Sequence, residues 1–372
     1  MAAPTRTRLG GLPTAGRHGR TPAPPACCGD AAPPPAPAVR ASPRAALLLV
    51  AELAIRAVRA PLHFGSFREL RTDMMRRNYP AELHPVLGYS PRPNFASTDN
   101  HWGTRVSIDA DGMRKNGDGP PPPGDAAIVA VGDSFTFGDE VDDDATWPAR
   151  LERILQQRVV NGGVFGYSLA QAVLRAEDSL QRRRVEAVVV SFIPDDLVRC
   201  EFRRRYTPVP WFDFEGDGLV LRGVPIDHAE ASADAGKAWK DLLGHSALVD
   251  AVLANTVRTW WFENEKQVAV PSLVGRGPEI GKRLLTRLAA KCRDAGARLL
   301  VVLQGPDPEP SAVEVLRFAS AHGIATLDLA TQFQERSAAD ASLQRRWFRG
   351  HMTPEGNAWV AVEVAAALRG GR

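Results

Sequence analysis

The chain has 372 residues, 44% hydrophobic and 24% charged, enough for one large domain with additions or for two. Its four cysteines, Cys27, Cys28, Cys200 and Cys292, show neither C-x-x-C nor Cys/His ligand spacing, which argues against a zinc site and against a disulfide scaffold. Lys+Arg 46 against Asp+Glu 43 is too even for a general nucleic-acid binder, and beyond residue 44 the balance is 40 against 42, slightly acidic.

Residues 1–44 hold ten Pro, ten Ala and five Gly, with six Arg against one acid, Asp30. Such a stretch buries too little apolar surface to offset its ordering entropy and is expected to be a disordered tail. No apolar core of secretory type lies at its extreme N-terminus. Residues 45–62 follow as an amphipathic or membrane-associated segment. Within it AALLLVAELAIRAVRA (45–60) has helical periodicity, and Glu52, Arg56 and Arg59 fall on one face, with Glu52–Arg56 an i,i+4 pair. A spanning helix needs about 20 apolar residues without such a stripe, so packing on the protein or lying on a membrane surface is expected instead.

Residues 82–123 read as an N-terminal extension rich in turn signals (Pro85, Gly88, Pro91, Pro93, Asn94, Gly112). It closes on a stiff run, Pro120 to Pro123, that predicts a domain boundary near 124. From there the pattern alternates. Apolar strand runs are predicted at 126–132, 159–164, 185–193, 297–303 and 323–329. Helical periodicity is predicted at 146–158, 169–184, 278–296, 311–323 and 353–369. Strands separated by helices specify an α/β fold with a parallel sheet and helices on both faces, here over 124–372. Residues 197–277 break the rhythm and read as an insertion. Its aromatics, among them Trp211, Phe212, Phe214, Trp260 and Trp261, suit either sugar stacking or a satellite core.

In such sheets ligands bind outside the carboxyl ends of the strands, and three segments there carry chemistry. Gly132-Asp133-Ser134-Phe135-Thr136-Phe137-Gly138 follows the first strand. A serine at a helix start exposes its hydroxyl where backbone N–H groups converge, which suits a nucleophile whose oxyanion needs donors. Ser134 could equally be a plain N-cap, and a phosphate loop is disfavoured because no Gly-Lys-Ser/Thr follows. Asn161 to Ser168, with three glycines, follows the second strand and can bring backbone N–H groups close to a ligand. In Arg349-Gly350-His351-Met352-Thr353-Pro354-Glu355-Gly356, Thr353 is a good N-cap and Pro354 fits the first helical position. His351 then lies before a helix N-terminus, where the dipole favours neutral imidazole, a base.

Gly-Asp-Ser early, a glycine after the second strand and His-x-x-x-x-Gly near the C-terminus, in this order, resemble the SGNH (GDSL-type) hydrolase family over about residues 126–369. The lead-in His84 to Tyr89 and Asp111-Gly112-Met113-Arg114 is similar to that of a bacterial branch of the family. The resemblance implies a three-layer α/β/α sandwich around a flavodoxin-like five-stranded parallel sheet, and cleavage or transfer of ester-linked acyl groups. It implies Ser134 as nucleophile, the N–H groups of Ser134 and Gly166 in the oxyanion hole, His351 as general base, and no cofactor or metal.

The chain departs from that pattern twice. Ile193-Pro194-Asp195-Asp196 stands where the family has Gly-x-Asn-Asp, so Asp195 occupies the place of an oxyanion donor. Phe348 and Arg349 stand where the family has an aspartate orienting the histidine. One carboxylate gained and one lost suggest that Asp195 or Asp196 supplies the partner of His351. The substrate expected is a small-molecule, glycan or lipid ester. The alternatives are an O-acyltransferase on glycans and a catalytically degenerate glycan- or lipid-binding module. The acid-rich turn Asp139, Glu140, Asp142, Asp143, Asp144 has oxygen ligands but no EF-hand spacing, and is expected to favour the following helix dipole rather than a metal. Arg199, Arg203, Arg204 and Arg205 suit either an anion clamp or, more simply, a solvated face.

Overall fold

The computed structural model describes residues 42–59, 65–68, 79–205, 207–216, 218–227, 237–262 and 267–370. The tail expected over 1–44 lies outside them up to residue 41. The chain divides into residues 1–49 and residues 50–372. In the first unit the described residues open helix α1 (Pro43–Arg59), which begins on a Ser42 side chain accepting from the Ala45 N–H.

Along α1 the expected Glu52–Arg56 pair forms at 2.6 Å. Glu52 also accepts from Ser246 Oγ and from the N–H groups of Ala247 and Leu248, so it caps the insertion helix Ala247–Thr256. Four convergent donors outweigh the cost of desolvating one carboxylate and hold it down to about 2. Val50, Leu53 and Val58 stay exposed. The charged side of the helix thus meets the protein and apolar residues meet solvent. Among the described residues no helix is long and apolar enough to cross a membrane.

The elements of the sandwich follow in chain order. They are β1 (Ala127–Val131), α2 (Ser134–Phe137), α3 (Trp147–Leu155), β2 (Val159–Asn161), α4 (Leu169–Arg182), β3 (Val185–Phe192) and α5 (Pro194–Arg199). After the insertion come α6 (Gly277–Asp294), β4 (Arg298–Leu303), α7 (Pro310–Ala321), β5 (Ala325–Asp328), α8 (Leu329–Ala339) and α9 (Pro354–Gly370). The five strands form one parallel sheet in the order 2-1-3-4-5, the flavodoxin-like winding.

Strand alternation divides the core in two. Val129, Val131, Val188, Val190, Val301 and Leu303 point to the face covered by α4, α6 and α7. Ile128, Ala130, Ala187, Val189, Leu300 and Val302 point to the face covered by α3, α8 and α9. Both faces are buried, so the strands read as unbroken apolar runs. Helix starts follow the sequence: Thr146 caps α3, Ser168 and Gln171 make a reciprocal capping box on α4, and the Thr353 hydroxyl accepts from the Gly356 N–H at the start of α9.

Part of the extension joins the core of the sandwich, and part of it, Val106 and Ile108, forms a smaller cluster with Phe137. Leu87, Tyr89 and Met113 pack into the α4 face. Tyr167 Oη donates to the Tyr89 carbonyl, and Gln171 to that of Leu87. In the insertion, Phe212 is fully buried against the main core, and Trp261 is buried with Ala254 and Phe262 in a satellite core. Phe214 lies under the guanidinium groups of Arg276 and Arg283. Trp260 remains partly exposed. Cys200 and Cys292 are free and buried.

Candidate active site

The winding reverses between β1 and β3, and the candidate site lies at their carboxyl ends. β1 runs into Gly132, where a β-carbon would stand 2.4 Å from Thr136 Oγ1 and 2.5 Å from the Ser191 carbonyl. Only glycine lets the chain turn into α2 this close to β3. Asp133, not Ser134, is the N-cap: its carboxylate accepts from the Phe135 N–H at 3.0 Å. This frees the Ser134 side chain. Its N–H, at the first helical position, has no partner among the described residues.

His351 comes from the other end of the chain. Phe348–Arg349 and His351–Met352 form a tight antiparallel hairpin about Gly350, which has φ +96°. The Thr353 cap and Pro354 then launch α9. The hairpin brings His351 Nε2 to 3.1 Å from Ser134 Oγ, across 217 residues of sequence. Phe135 packs on both His351 and Phe348, which is buried. The Ser134 hydroxyl also lies 3.3 Å from Asp133 Oδ2, so its one proton faces two acceptors.

The imidazole's other nitrogen, Nδ1, meets Glu140 Oε1 at 3.2 Å. This corrects the expectation that Asp195 or Asp196 orients it. Asp196 is buried, accepts from the Ile193 N–H and pairs with Arg199 at 2.6 Å. Asp195 is exposed and stands 3.7 Å from Arg199. A helical turn that caps its own N-terminus with Asp196 turns Asp195 outward into solvent. Arg199 is likewise an internal bridge and not a solvated side chain. Its Nη1 reaches Asp133, Asp196 and the Tyr167 carbonyl. That nitrogen therefore ties the residue before Ser134 to the residue after Gly166. Gly166 has φ +69°, gives its carbonyl to Arg205, and its N–H has no partner among the described residues.

Sequence reasoning missed Glu140, Asp139 and Arg114 as parts of this site. Glu140 and Asp139 sit in the acid-rich turn weighed above as a metal candidate. Each acid there has its own work. Asp142 accepts from the Arg105 N–H, Asp143 from Ser107 N–H and Arg114, and Asp144 lies 3.7 Å from Arg105. Asp139 is buried, 3.7 Å from His351 Nε2, and its Oδ1 has no partner among the described residues. Burial pushes the Asp139 carboxyl well above the usual carboxylate range, against the pull of Arg114 and with Asp133 and Glu140 pushing the same way. Burial also raises Asp133, with Arg199 and the Phe135 N–H opposing, and it raises Asp196 well above normal, aided by the charge of Asp133. The acid-rich run itself, Asp139 to Asp144, was the only signal the sequence offered, and its spacing singles out none of the acids.

Arg114, from the lead-in, is fully buried. Its Nε donates to Asp143 Oδ1 at 3.0 Å, and its Nη atoms donate to the carbonyls of Phe137, Gly138, Arg105 and Val141. Three of those carbonyls bracket Asp139–Glu140, so the extension holds the loop that carries both acids. Near the hairpin, Ser342, Arg345, Arg346, Phe348 and Arg349 line an open cleft of about 560 Å³.

No family model and no curated protein matches the chain. Solved structures do resemble it. One is a protein from Desulfitobacterium hafniense DCB-2 assigned to the G-D-S-L lipolytic family, 14% identical, covering 65% of this chain and 99% of that one, with TM-score 0.34. TesA is 14% identical, covering 65% and 98%, with TM-score 0.36. LAE5, an alpha/beta hydrolase enzyme from the metagenome of Lake Arreo, Spain, is 14% identical, covering 65% and 94%, with TM-score 0.36.

Proposed function

We propose that the protein is a serine ester hydrolase of SGNH type. The observation that carries this is the 3.1 Å approach of His351 Nε2 to Ser134 Oγ at the switch point of the sheet. Ser134 Oγ attacks the ester carbonyl while His351 Nε2 takes its proton. The oxyanion is held by the N–H groups of Ser134 and Gly166, two donors without partners among the described residues. The alcohol leaves with the proton from His351, and water then releases the acyl group by the same exchange. The substrate is an acyl ester of a small molecule, glycan or lipid.

One observation favours a second reading. Asp195, exposed and acidic where the resembling family has an oxyanion donor, suits a module that binds esters without turning them over. Fluorophosphonate labelling and p-nitrophenyl acetate hydrolysis separate the two. An esterase is labelled and hydrolyses, and Ser134→Ala loses both. A wild-type protein that is neither labelled nor active at any pH from 5 to 9 overturns the esterase reading.

A further inference from the structure

We propose that Glu140 is the positioning carboxylate of His351, making the site a Ser134–His351–Glu140 triad whose third member is delivered by the turn after the nucleophile. The proposal rests on the esterase reading and goes further by naming what replaces the aspartate absent at Phe348 and Arg349.

Four observations carry it. The first is distance: Glu140 Oε1 stands 3.2 Å from Nδ1 while Nε2 faces Ser134, so both ring nitrogens are engaged in the sense a relay requires. Nδ1–H donates to the carboxylate, which fixes the tautomer that leaves Nε2 free to accept from Ser134.

The second is strain. Glu140 has φ +68°, a left-handed conformation that residues with a β-carbon rarely adopt and glycine adopts freely. A strained non-glycine residue persists where its side chain is needed.

The third is proximity. Gly350, the left-handed turn of the hairpin with φ +96°, sits directly beside the Glu140 carboxylate, within ordinary contact distance of its Oε1.

The fourth is support. Arg114 grips the carbonyls of Phe137, Gly138 and Val141 on either side of Glu140, so the strained turn is held by a buried cation.

As Ser134 attacks, its proton passes to Nε2 and the ring becomes imidazolium. The carboxylate at Nδ1 stabilises that charge, and the proton leaves again with the alcohol. Other ionisable groups also face the ring or its neighbours. Asp139 stands 3.7 Å from Nε2, Asp133 bonds to Ser134, and Arg114 and Arg199 act on those two acids. None of them is on the Nδ1 side.

The test compares Glu140→Gln and Glu140→Gly with wild type, Ser134→Ala and His351→Ala on p-nitrophenyl acetate, by kcat/KM and by urea unfolding. Both Glu140 variants should lose ~10–10²-fold in kcat/KM, less than for a fully buried triad acid because Glu140 is partly in water. Glu140→Gly should at the same time unfold at higher urea than wild type, since it relieves the left-handed strain. A merely structural residue would lose stability along with activity. The proposal is overturned alone if Ser134→Ala and His351→Ala abolish turnover while both Glu140 variants stay within twofold of wild type. It falls together with the esterase reading if wild type shows no turnover.

Discussion

The deepest charge pair among the described residues gives the sharpest stability prediction. Arg114 and Asp143 have side chains 0% and 1% exposed, 3.0 Å apart. Burial lowers the Arg114 pKa below its ordinary value, with Asp143 opposing that fall. Arg114→Met keeps much of the volume and removes every donor. The Asp143 carboxylate is then left buried with only the Ser107 N–H, and four carbonyls lose a partner. Summing charged hydrogen bonds at about 1.5–3 kcal/mol each would approach the entire stability of a typical domain, about 5–15 kcal/mol, and is an overcount because the freed groups recruit water. The loss for breaking a buried pair is about 3–5 kcal/mol. Adding Asp143→Leu removes the stranded charge, so the double variant should regain about 1–3 kcal/mol over Arg114→Met. Urea unfolding followed by circular dichroism at pH 7, on all four members of the cycle, measures both. A cost below about 1 kcal/mol for Arg114→Met, or a double variant no more stable than that single one, would refute the claim that a buried ion pair holds this loop.

Three further outcomes follow from other contacts. Glu52 falls from its ordinary 4.5 to about 2 in the folded protein, so its contribution is full above pH 4.5 and is lost as pH falls toward 2. Glu52→Gln should therefore cost about 1–2 kcal/mol at pH 7, with the gap to wild type closing below pH 4.5. A gap constant with pH would contradict this. Asp139 has the opposite sign: its folded pKa is raised, so it weakens the fold increasingly as pH climbs above the ordinary carboxylate range. Asp139→Asn should raise the melting temperature more at pH 8 than at pH 5, and a larger gain at pH 5 would reverse the argument. Gly132→Ala drives a β-carbon against the Ser191 carbonyl, which cannot swing aside as a side chain can. It should cost about 3 kcal/mol or more by calorimetry, as overpacking and backbone shift combine.

Much of the architecture was legible without coordinates. The runs AIVAV, VEAVVVSF and RLLVVL are apolar on both alternations, which only strands buried on two faces require, and β1, β3 and β4 lie there. Thr353-Pro354 announced the start of α9 because capping chemistry acts within four residues. Ser134 and His351 stood out only through the order of motifs, Gly-Asp-Ser early and His-x-x-x-x-Gly late, that resembles a known family, and the fold brings the two within 3.1 Å.

The partner of His351 was not legible in that way. Six carboxylates, Asp133, Asp139, Glu140, Asp143, Asp195 and Asp196, lie within the turns near the site, and sequence spacing ranks none of them. Packing decides. Asp196 is captured by its own helix turn and by Arg199, Asp133 by the cap of α2, and Asp143 by Arg114. Glu140, held in a left-handed turn against a glycine hairpin 211 residues away, is what remains at Nδ1. Glu52 gives the same lesson: its i,i+4 partner was readable from the helix repeat, its three donors at the start of a helix 194–196 residues on were not. Periodicity, caps and turns are properties of neighbouring residues, so the amino-acid order determined the layers and the ends of the elements on which Ser134 and His351 sit. Which charges meet depends on distances of a few ångström between segments far apart in sequence, and only the folded chain sets those.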